Sequence, residues 1–350
     1  MKGLALPAIT LLSAVVMTAC QAKNANWSGT MSRDGNTVIV ANPSEPVHAT
    51  PVMSLKEEQI LLRLPDANVS GIDGTGDFVL EPSGSAFLFD RASRTVYFYD
   101  EKTNQSKKIE GFGGGRLDSR ALCSMNPLPA SRLLFIDAET GDALTFSRRG
   151  YVLDKQILPG WGRLFDSRTD EFGNLYFAAV EYGGAAAKGT VRMALRRWSW
   201  TRGRAETIFS LPLGTGLNDL RPLVPWTIGP DNGLYLVDTA NQSILILNEN
   251  SQILRKIRFE KAIDRSNSKP RAVGRMISID TGGRIFLEVE KSAPAGGYAF
   301  LVFDAEGRWQ GRANFPCRPR WWTKTHLYGV EWEDGHRSYK KYGLSWNFRF

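Results

Sequence analysis

The sequence predicts an all-β fold built from copies of one short unit, and three observations support this prediction. The first is a hairpin pattern, in which an apolar run ends at an acidic residue, a polar turn follows and a second apolar run returns. The clearest copies are Ser85–Asp100, Arg132–Phe146 and Gly233–Asn248. The second is spacing, because the closing acids recur at intervals of 44 to 57 residues. The third is composition, since 34 Gly and 17 Pro suit a chain of many short strands and turns.

Weaker copies of the hairpin bring the number of units to six. They lie at Asn174–Arg197, Arg284–Asp304 and His326–Gly343. The acids that we expect to close the first strand of each hairpin are Asp90, Asp137, Glu181, Asp238, Glu290 and Asp334. Their spacing is close to the roughly 40–50 residues of a four-stranded propeller blade. The sequence therefore predicts a single six-bladed β-propeller over residues 37–350, with four-stranded antiparallel blades.

Residues 1–20 have the pattern of a signal peptide, with Lys2 at the start, an apolar run over Leu4–Met17 and small residues before Cys20. The tetrapeptide Met17-Thr18-Ala19-Cys20 resembles the bacterial lipobox, and this resemblance implies cleavage and lipidation at Cys20. The alternative is cleavage a few residues later, with no anchor. Gln21 in place of Asp favours the outer membrane. We expect an exported protein of the cell envelope, an outer-membrane lipoprotein that faces the periplasm or the surface.

The segment before the first blade contains two strand candidates. Residues 21–36 are expected to form an N-terminal tether. Thr37–Asn42 reads as a β-strand without a partner nearby in the sequence. In closed propellers a strand from one end of the chain often completes the blade built by the other end, which removes free sheet edges. We therefore expect Thr37–Asn42 to complete the last blade, and Glu58–Leu64 to be another strand, leading into the first blade.

Each hairpin is followed by a further strand and then by an inter-blade loop. The further strands have the mixed polarity of a sheet edge, and lie at Ser106–Phe112, Tyr151–Leu158, Ala205–Leu211, Ile253–Glu260 and Arg308–Phe315. Three of the loops share a Gly-x-Gly sequence, followed by an Asp and an Arg two residues apart, at 113–120, 160–168 and 214–221. These loops precede strands and do not open a helix, which argues against a dinucleotide-binding fingerprint.

Together these features resemble the six-bladed β-propeller family with NHL-type repeats, in its exported bacterial branch. The resemblance rests on the strand-Asp-turn-strand units that end at Asp90, Asp137 and Asp238, on the lead-in Asp170–Tyr176, and on the Gly-x-Gly loops. It extends from about residue 70 to the C-terminus and implies a fold far better than an activity. The third and fifth units depart from the pattern, because Glu replaces Asp and longer loops intervene.

Arginines of the inter-blade loops are the strongest candidates for a binding site. Guanidinium groups around one mouth of the channel would bind carboxylate or phosphate bidentately, and tryptophans close to them would stack on a sugar or aromatic group. The candidate residues are Arg116, Arg163, Arg221, Arg271, Arg275, Arg320, Trp161, Trp321 and Trp322. The alternative is that each Arg pairs with the Asp two residues before it, or with an Asp of a neighbouring blade, and locks the blades together.

Metal and cysteine chemistry receives weaker support from the sequence. Only three His are present, which argues against multi-histidine copper or zinc sites. A metal-dependent lactonase would hold calcium with acids and amides of the channel, and the weak candidates are Asp118, Asp166, Asn218 and Asp219. The alternative is that these groups pair locally. No other cofactor is predicted. Cys123 and Cys317 form either a disulfide across the channel mouth or two buried thiols.

The formal net charge is +8, without a long basic run. Export argues against a nucleic-acid partner and favours anionic lipid or acidic glycans. We therefore expect a monomeric binding module, held at the membrane by its N-terminal lipid, that recognises an envelope protein or an anionic glycan or small ligand at the channel mouth. The alternative function is an enzyme of the metal-dependent lactonase or lyase type, with its site in the channel.

Overall fold

The computed structural model describes residues 27–65, 77–90, 93–110, 122–137, 140–158, 163–182, 191–200, 202–214, 224–239, 241–259, 276–289, 297–333 and 335–348. Strands, turns and bends account for the regular structure of these residues. No helix within them is long and apolar enough to cross a membrane. Three strands precede the first blade, namely β1 (Thr30–Asp34), β2 (Thr37–Ala41) and β3 (Met53–Pro65).

Six antiparallel blades of four strands each follow in a ring, so the chain is a six-bladed β-propeller. The first blade consists of β4 (Phe78–Leu80), β5 (Ala86–Asp90), β6 (Thr95–Asp100) and β7 (Gln105–Lys108). The second consists of β8 (Leu122–Leu128), β9 (Arg132–Asp137), β10 (Asp142–Phe146) and β11 (Val152–Ile157). The third consists of β12 (Arg163–Thr169), β13 (Leu175–Tyr182), β14 (Val191–Ser199) and β15 (Arg204–Gly214).

The last three blades follow, and the sixth includes a strand from the N-terminal part of the chain. The fourth contains β16 (Trp226–Ile228), β17 (Leu234–Asp238), β18 (Ser243–Leu247) and β19 (Ile253–Arg258). The fifth contains β20 (Ile277–Ile279), β21 (Ile285–Val289), β22 (Tyr298–Phe303) and β23 (Trp309–Phe315). The sixth contains β24 (Arg318–Trp322), β25 (His326–Glu333) and β26 (His336–Trp346), with β3 as its outermost strand. The predicted fourth strands of the first five blades are thus confirmed, but Ile253–Glu260 is not an edge strand as predicted, because β2 pairs with β19.

The core of the protein consists of apolar layers between neighbouring blades. Strands β17 and β18 are buried along their whole length, because each of their faces packs against a neighbouring sheet. Phe89 and Phe135, for example, join the first blade to the second with their rings edge to face at 5.4 Å. Buried apolar clusters fill all six interfaces between adjacent blades, including the one between the sixth and the first.

The ring closes through the sixth blade, as predicted, but with a different strand. Strand β3 pairs antiparallel with β26 from His336↔Pro65 to Trp346↔Met53. The prediction that Thr37–Asn42 completes the last blade is wrong, because β2 pairs in parallel with β19 of the fourth blade. Length explains the difference, since β26 has 11 residues and β3 has 13, whereas β2 has five. The predicted strand Glu58–Leu64 is part of β3.

A buried asparagine fixes the β1–β2 hairpin to the propeller. The Asn42 side chain donates to the backbone oxygens of Arg258 at 3.2 Å and Gly307 at 3.0 Å, and it accepts from the Trp309 N–H at 2.6 Å. Val40 beside it is fully buried between the fourth and fifth blades. The hairpin therefore extends the fourth sheet to six strands, and β1 lies within the range that we assigned to the tether.

The acids that close the first hairpin strands bind their own turns. Asp238 accepts from the Asn241 backbone at 3.1 Å and from its side-chain amide at 2.7 Å. Asp90 accepts from the Ser93 hydroxyl, and Asp137 from the Thr140 N–H at 3.0 Å. In the fifth blade the corresponding strand ends at Val289. Glu290 and Asp334 lie outside the described residues, and so does the side chain of Glu181.

Candidate functional site

A cavity of about 360 Å³ lies at the centre of the ring. Each of the six innermost strands, β4, β8, β12, β16, β20 and β24, contributes to its wall. The wall continues into the turns that follow β12, β16 and β20, where Glu171, Asn232 and Thr281 line it. The volume is within the range of roughly 300–1,000 Å³ that small-molecule sites occupy. The cavity is therefore large enough for a small organic ligand.

The wall combines apolar and aromatic groups with a few polar groups that are held in place. Its apolar part is formed by Phe78, Met125, Pro127, Met276, Ile277, Ile279, Trp321 and Trp322. On the polar side, Asn126 donates its amide to the hydroxyls of Ser124 at 3.1 Å and Ser167 at 2.8 Å. The two hydroxyls also bond to each other, and all three side chains are buried. This network joins the second blade to the third and places hydroxyl and amide groups beside the cavity.

Arg168 of β12 brings a positive charge to the wall. Its Nη2 lies 3.7 Å from Asp166 Oδ2, and its guanidinium lies 5.5 Å from the centre of the Trp226 ring. The side chain keeps an exposed fraction of 23 % because it borders the cavity, although it lies deep in the protein. Burial lowers the pKa of Arg168, the charge of Arg320 lowers it further, and Asp166 opposes the shift. An anion in the cavity would therefore be favourable.

Arg320 of β24 also lines the cavity, but a carboxylate engages it closely. Its Nε donates to Asp77 Oδ1 at 2.8 Å, and the hydroxyl of Tyr339 donates to Asp77 Oδ2 at 3.0 Å. The Arg320 side chain has an exposed fraction of 2 %. Because Asp77 belongs to the first blade and Arg320 to the sixth, this pair joins the two blades where the ring closes. It matches the predicted alternative in which an arginine locks neighbouring blades together.

The two tryptophans predicted for the site lie on β24 and differ in surroundings. Trp322 donates its indole N–H to Ser278 Oγ at 2.7 Å and stacks on Phe286 at 4.5 Å. It is buried and has one face against the fifth blade, so its orientation is set by packing. Trp321 is half-buried and packs against the cluster between the sixth and first blades. Both side chains border the cavity, and Trp321 has the more accessible surface.

The acids at the turn end of the cavity bind their own backbone. Asp170 accepts from the backbone of Phe172 at 3.0 Å and from both nitrogens of Asn174 at 2.8 Å. Asp280 accepts from the Gly282 N–H at 2.8 Å and pairs with Arg284 Nη1 at 2.8 Å. Across the described ranges, no group of three or more His, Cys, Asp or Glu is arranged to hold a metal ion. Calcium binding stays a prediction.

Many of the predicted site residues lie outside the described residues. They are Cys20, Arg116, Arg221, Arg271, Arg275, Trp161, Asp118, Asn218 and Asp219. Arg163 begins β12, and its side chain is not described. Asp166 lies on the same strand, not in a loop, and contacts Arg168. The structure thus brings Arg320, Trp321 and Trp322 together on one innermost strand and leaves the predicted ring of loop arginines a prediction.

Arg168 is the basic residue of the cavity wall that sequence reasoning missed. We chose Arg163 from the loop 160–168, although the repeated pattern contains a second arginine, two residues after an aspartate. Strand β12 begins at Arg163, before the Asp-Ser-Arg sequence, so Ser167 and Arg168 of this sequence line the cavity. The useful signal was the recurrence of Asp-Ser-Arg at 118–120 and 166–168.

Cys317 is a free and fully buried thiol, which agrees with the second of the two predicted alternatives for this residue. Its sulfur lies against Gly329, where any side chain would collide with it. Burial raises the pKa of the Cys317 thiol, and the charge of Glu331 raises it further. The side chain of Cys123 lies outside the described residues.

Comparisons with known proteins support the fold. No family model matches the sequence, and no curated protein sequence matches it. Among solved structures, a DUF4221 family member from Bacteroides vulgatus has a TM-score of 0.54 at 13 % identity, over 84 % of this chain and 99 % of that chain. A Bacteroides fragilis protein assigned as exported has a TM-score of 0.53 at 11 % identity, over 89 % and 100 %.

A third similar structure is that of a protein named for calcium binding. The calcium-binding protein regucalcin from Agrobacterium tumefaciens has a TM-score of 0.50 at 16 % identity, over 86 % of this chain and 97 % of that chain. At these identities the likeness extends to the propeller fold and not to activity. The six-bladed propeller is thus supported by structural neighbours, whereas the NHL-type repeat stays a prediction.

Proposed function

We propose that this protein is an exported, lipid-anchored binding module that takes a small organic anion into its central cavity. The observation that carries the proposal is Arg168, a guanidinium on the wall of a cavity of about 360 Å³ at the meeting point of all six blades. A cation removed from bulk water loses hydration energy, and a carboxylate or phosphate that enters the cavity replaces part of it.

The rest of the wall narrows the chemistry of the ligand. Trp321, Phe78 and Ile279 offer apolar surface, whereas Asn126 and Ser167 offer polar groups on the opposite side of the ring of strands. A ligand with an apolar or aromatic body and one acidic group would satisfy both parts of the wall. A cavity of this size favours a small ligand over a protein segment. The loop arginines, such as Arg116 and Arg271, would add positive charge if they surround one channel mouth.

The enzyme alternative has less support among the described residues. A hydrolytic or lyase site needs a general base or a metal near the substrate. The carboxylates that line the described wall are Asp170, Glu171 and Asp280. Asp170 and Asp280 cap turns, and Glu171 accepts from the Asn232 amide at 2.8 Å. Binding is therefore the function that the wall supports best.

Thermal unfolding with small probes tests the binding proposal. Benzoate and phenyl phosphate at millimolar concentration should raise the melting temperature of the wild type, whereas neutral benzamide should not. A ligand at 100 times its Kd stabilises a protein by about 2.7 kcal/mol. Arg168→Gln should abolish the shift and Arg168→Lys should retain part of it, because lysine keeps the charge but not the fork of donors.

Arg202→Gln is the matched control. It removes the same charge from the same blade, at an exposed side chain that pairs with Glu206, so it should keep the response to benzoate. Equal stabilisation by benzoate and benzamide would refute anion recognition. An undiminished response in Arg168→Gln would show that Arg168 is not the anion-binding group. Incorporation of labelled palmitate, tested against Cys20→Ala, checks the anchor separately.

A further inference from the structure

We propose that the ligand of the central cavity carries a hydroxyl group in addition to its acidic group, and that the side-chain oxygen of Asn126 accepts a hydrogen bond from that hydroxyl. The ligand class is then a small hydroxy acid. The inference rests on the proposed function, because it concerns the ligand of the same cavity. It adds Asn126 as the residue that distinguishes hydroxylated acids from plain organic acids.

The amide nitrogen of Asn126 has already donated both of its protons. Nδ2 lies 3.1 Å from Ser124 Oγ and 2.8 Å from Ser167 Oγ. A side-chain amide nitrogen carries two protons, so these two hydrogen bonds use its whole donor capacity. The two hydroxyls also bond to each other, and all three side chains are buried. The network therefore fixes the orientation of the Asn126 amide and leaves its oxygen as the group that a ligand can use.

The oxygen of the same amide is in a different situation. Within the part of the chain that the structure describes, Asn126 Oδ1 accepts no hydrogen bond, yet it is not sealed inside the protein. The residue as a whole has an exposed fraction of only 3 %, and it lines the cavity from the innermost strand β8. A carbonyl oxygen away from bulk water is costly unless it accepts a hydrogen bond. A ligand that donates to Oδ1 would remove this cost.

Other polar groups of the wall impose no such requirement on the ligand. The Thr169 hydroxyl donates to the backbone oxygen of Pro127 at 2.5 Å, and Ser278 Oγ accepts from the Trp322 indole N–H at 2.7 Å. A hydroxyl can donate or accept, so it fits a ligand group of either kind. The amide oxygen of Asn126 can only accept. It therefore selects a ligand with a donor at that position.

The placement of Asn126 and Arg168 indicates that the donor and the acid are separate groups of one small ligand. Ser167, which bonds to Asn126, directly precedes Arg168 on β12, and successive residues of a strand point to opposite faces. The Arg168 guanidinium accordingly lies near Trp226 of the fourth blade, whereas Asn126 belongs to the second. A protonated amine would also donate to Asn126, but the positive charge of Arg168 disfavours it. A neutral hydroxyl meets both conditions.

Isothermal titration calorimetry on the full chain tests the inference with a series of substituted benzoates. The probes are benzoate and its 3- and 4-substituted hydroxy, methyl and methoxy derivatives. The better of the two hydroxybenzoates should bind about three- to tenfold more tightly than benzoate, which is the contribution expected of one neutral hydrogen bond. The methyl derivative has nearly the size of the hydroxy compound but no donor, and it should lack this gain. The methoxy derivative, which can only accept, should lack it too.

A variant series assigns the preference to Asn126. In Asn126→Ala the affinities for the better hydroxybenzoate and for benzoate should become equal within about twofold. Asn250→Ala makes the same change in an exposed turn of the fourth blade and should keep the preference of the wild type. The ratio of two affinities is compared within each variant, so a change in the stability of Asn126→Ala does not imitate the result. The ligand series on the wild type tests the inference even if Asn126→Ala does not fold.

Three results would overturn the inference. They are equal affinity of the wild type for benzoate and both hydroxybenzoates, tighter binding of a methoxy derivative than of its hydroxy counterpart, and a hydroxyl preference that persists in Asn126→Ala. Failure of the proposed function is distinguishable from these results, because none of the acids, benzoate included, would then bind to the wild type.

Discussion

Arg320 and Arg168 both lie on innermost strands and line the same cavity, yet their electrostatic surroundings differ. Arg320 has a carboxylate at 2.8 Å, shared with the Tyr339 hydroxyl, across the seam between the last and first blades. The carboxylate of Asp166 lies 3.7 Å from Arg168 and belongs to the same strand. The comparison teaches that arginines on equivalent strands of a repeat can pair with another blade in one case and with their own strand in another. The two arginines differ in the distance to the partner carboxylate and in the blade to which that carboxylate belongs, not in residue type.

The largest effect should come from breaking the seam. Asp77→Ala leaves the buried Arg320 and Tyr339 without their shared acceptor, so the free energy of unfolding should fall by about 3–5 kcal/mol. Urea unfolding measures the change. Asp154→Ala, at an exposed carboxylate of β11, is the control and should stay near the wild type. A loss below about 1 kcal/mol in Asp77→Ala would contradict the structural role of the pair.

Lys340 of β26, which joins the N-terminal strand β3 to the rest of the sixth blade, tests the role of buried ion pairs through pH. Its Nζ contacts Glu331 closely, and also Glu57 at 3.0 Å and Glu333 at 3.4 Å. Burial lowers the pKa of Lys340, but hydrogen bonds to Glu331 and Glu57 raise it above its usual value. Lys340→Met should cost about 2–3 kcal/mol near neutral pH, because the buried Glu331 loses its cation.

The pH dependence of that variant follows from Glu331. Burial raises the pKa of the Glu331 carboxyl, while its hydrogen bond with Lys340 lowers it. A carboxyl with a raised pKa holds its proton more tightly in the folded state, so its burial costs stability at higher pH and costs less as pH falls. Without Lys340, the pKa of the Glu331 carboxyl rises further. The stability difference between Lys340→Met and the wild type should therefore narrow as pH is lowered towards 4.5, and a constant difference would argue against this assignment.

Steric fit between the fifth and sixth blades should give an intermediate effect. A Cβ at Gly329 of β25 would overlap the sulfur of Cys317 and lie 3.1 Å from the Arg318 oxygen. Gly329→Ala should therefore destabilise the protein by about 1–3 kcal/mol, in the range for overpacked cores. Gly335→Ala has open space but a φ of +71°, so it separates backbone strain from overlap. Recovery of stability in Gly329→Ala combined with Cys317→Gly would confirm that the overlap is the cause.

The smallest effect on stability should come from the cavity. Arg168→Gln removes a contact of 3.7 Å and a cation whose pKa burial already lowers. The free energy of unfolding should change by less than about 1 kcal/mol, while stabilisation by benzoate is lost. A loss of stabilisation by benzoate without a loss of protein stability would be the clearest sign that Arg168 and Arg320 differ in role. A loss as large as that of Asp77→Ala would assign Arg168 to the scaffold as well.

Much of the fold could be predicted because a blade is local in sequence. Each hairpin repeats an apolar strand, an acid and a turn, and Asp238 shows why, since it binds the turn that directly follows it. The outer strands were predictable for the same reason. The partner of Thr37–Asn42 was not, because strands β2 and β3 both precede the first blade and both read as β. Their choice between the fourth and the sixth blade depends on lengths and registers more than 200 residues away.

The candidate site divides in the same way. Tryptophan and arginine on β24 were predicted from residue type and position in the repeat, and both border the cavity. Their roles were not predictable, because Arg320 finds Asp77 at a distance of 243 residues along the chain. Arg168 was overlooked since the start of β12 could not be located within the loop pattern.

By itself, the sequence determined the all-β class, the number of units, the closure by an N-terminal strand and the candidate signal peptide, because each follows from patterns within about 50 residues of chain or from its ends. Only the tertiary structure decided which strand closes the ring, and that Arg320 pairs with a carboxylate of another blade whereas Arg168 contacts one of its own strand. Those outcomes depend on distances between blades that are remote in the sequence. Periodicity specifies a blade, whereas the geometry of the closed ring decides which charges meet at its centre.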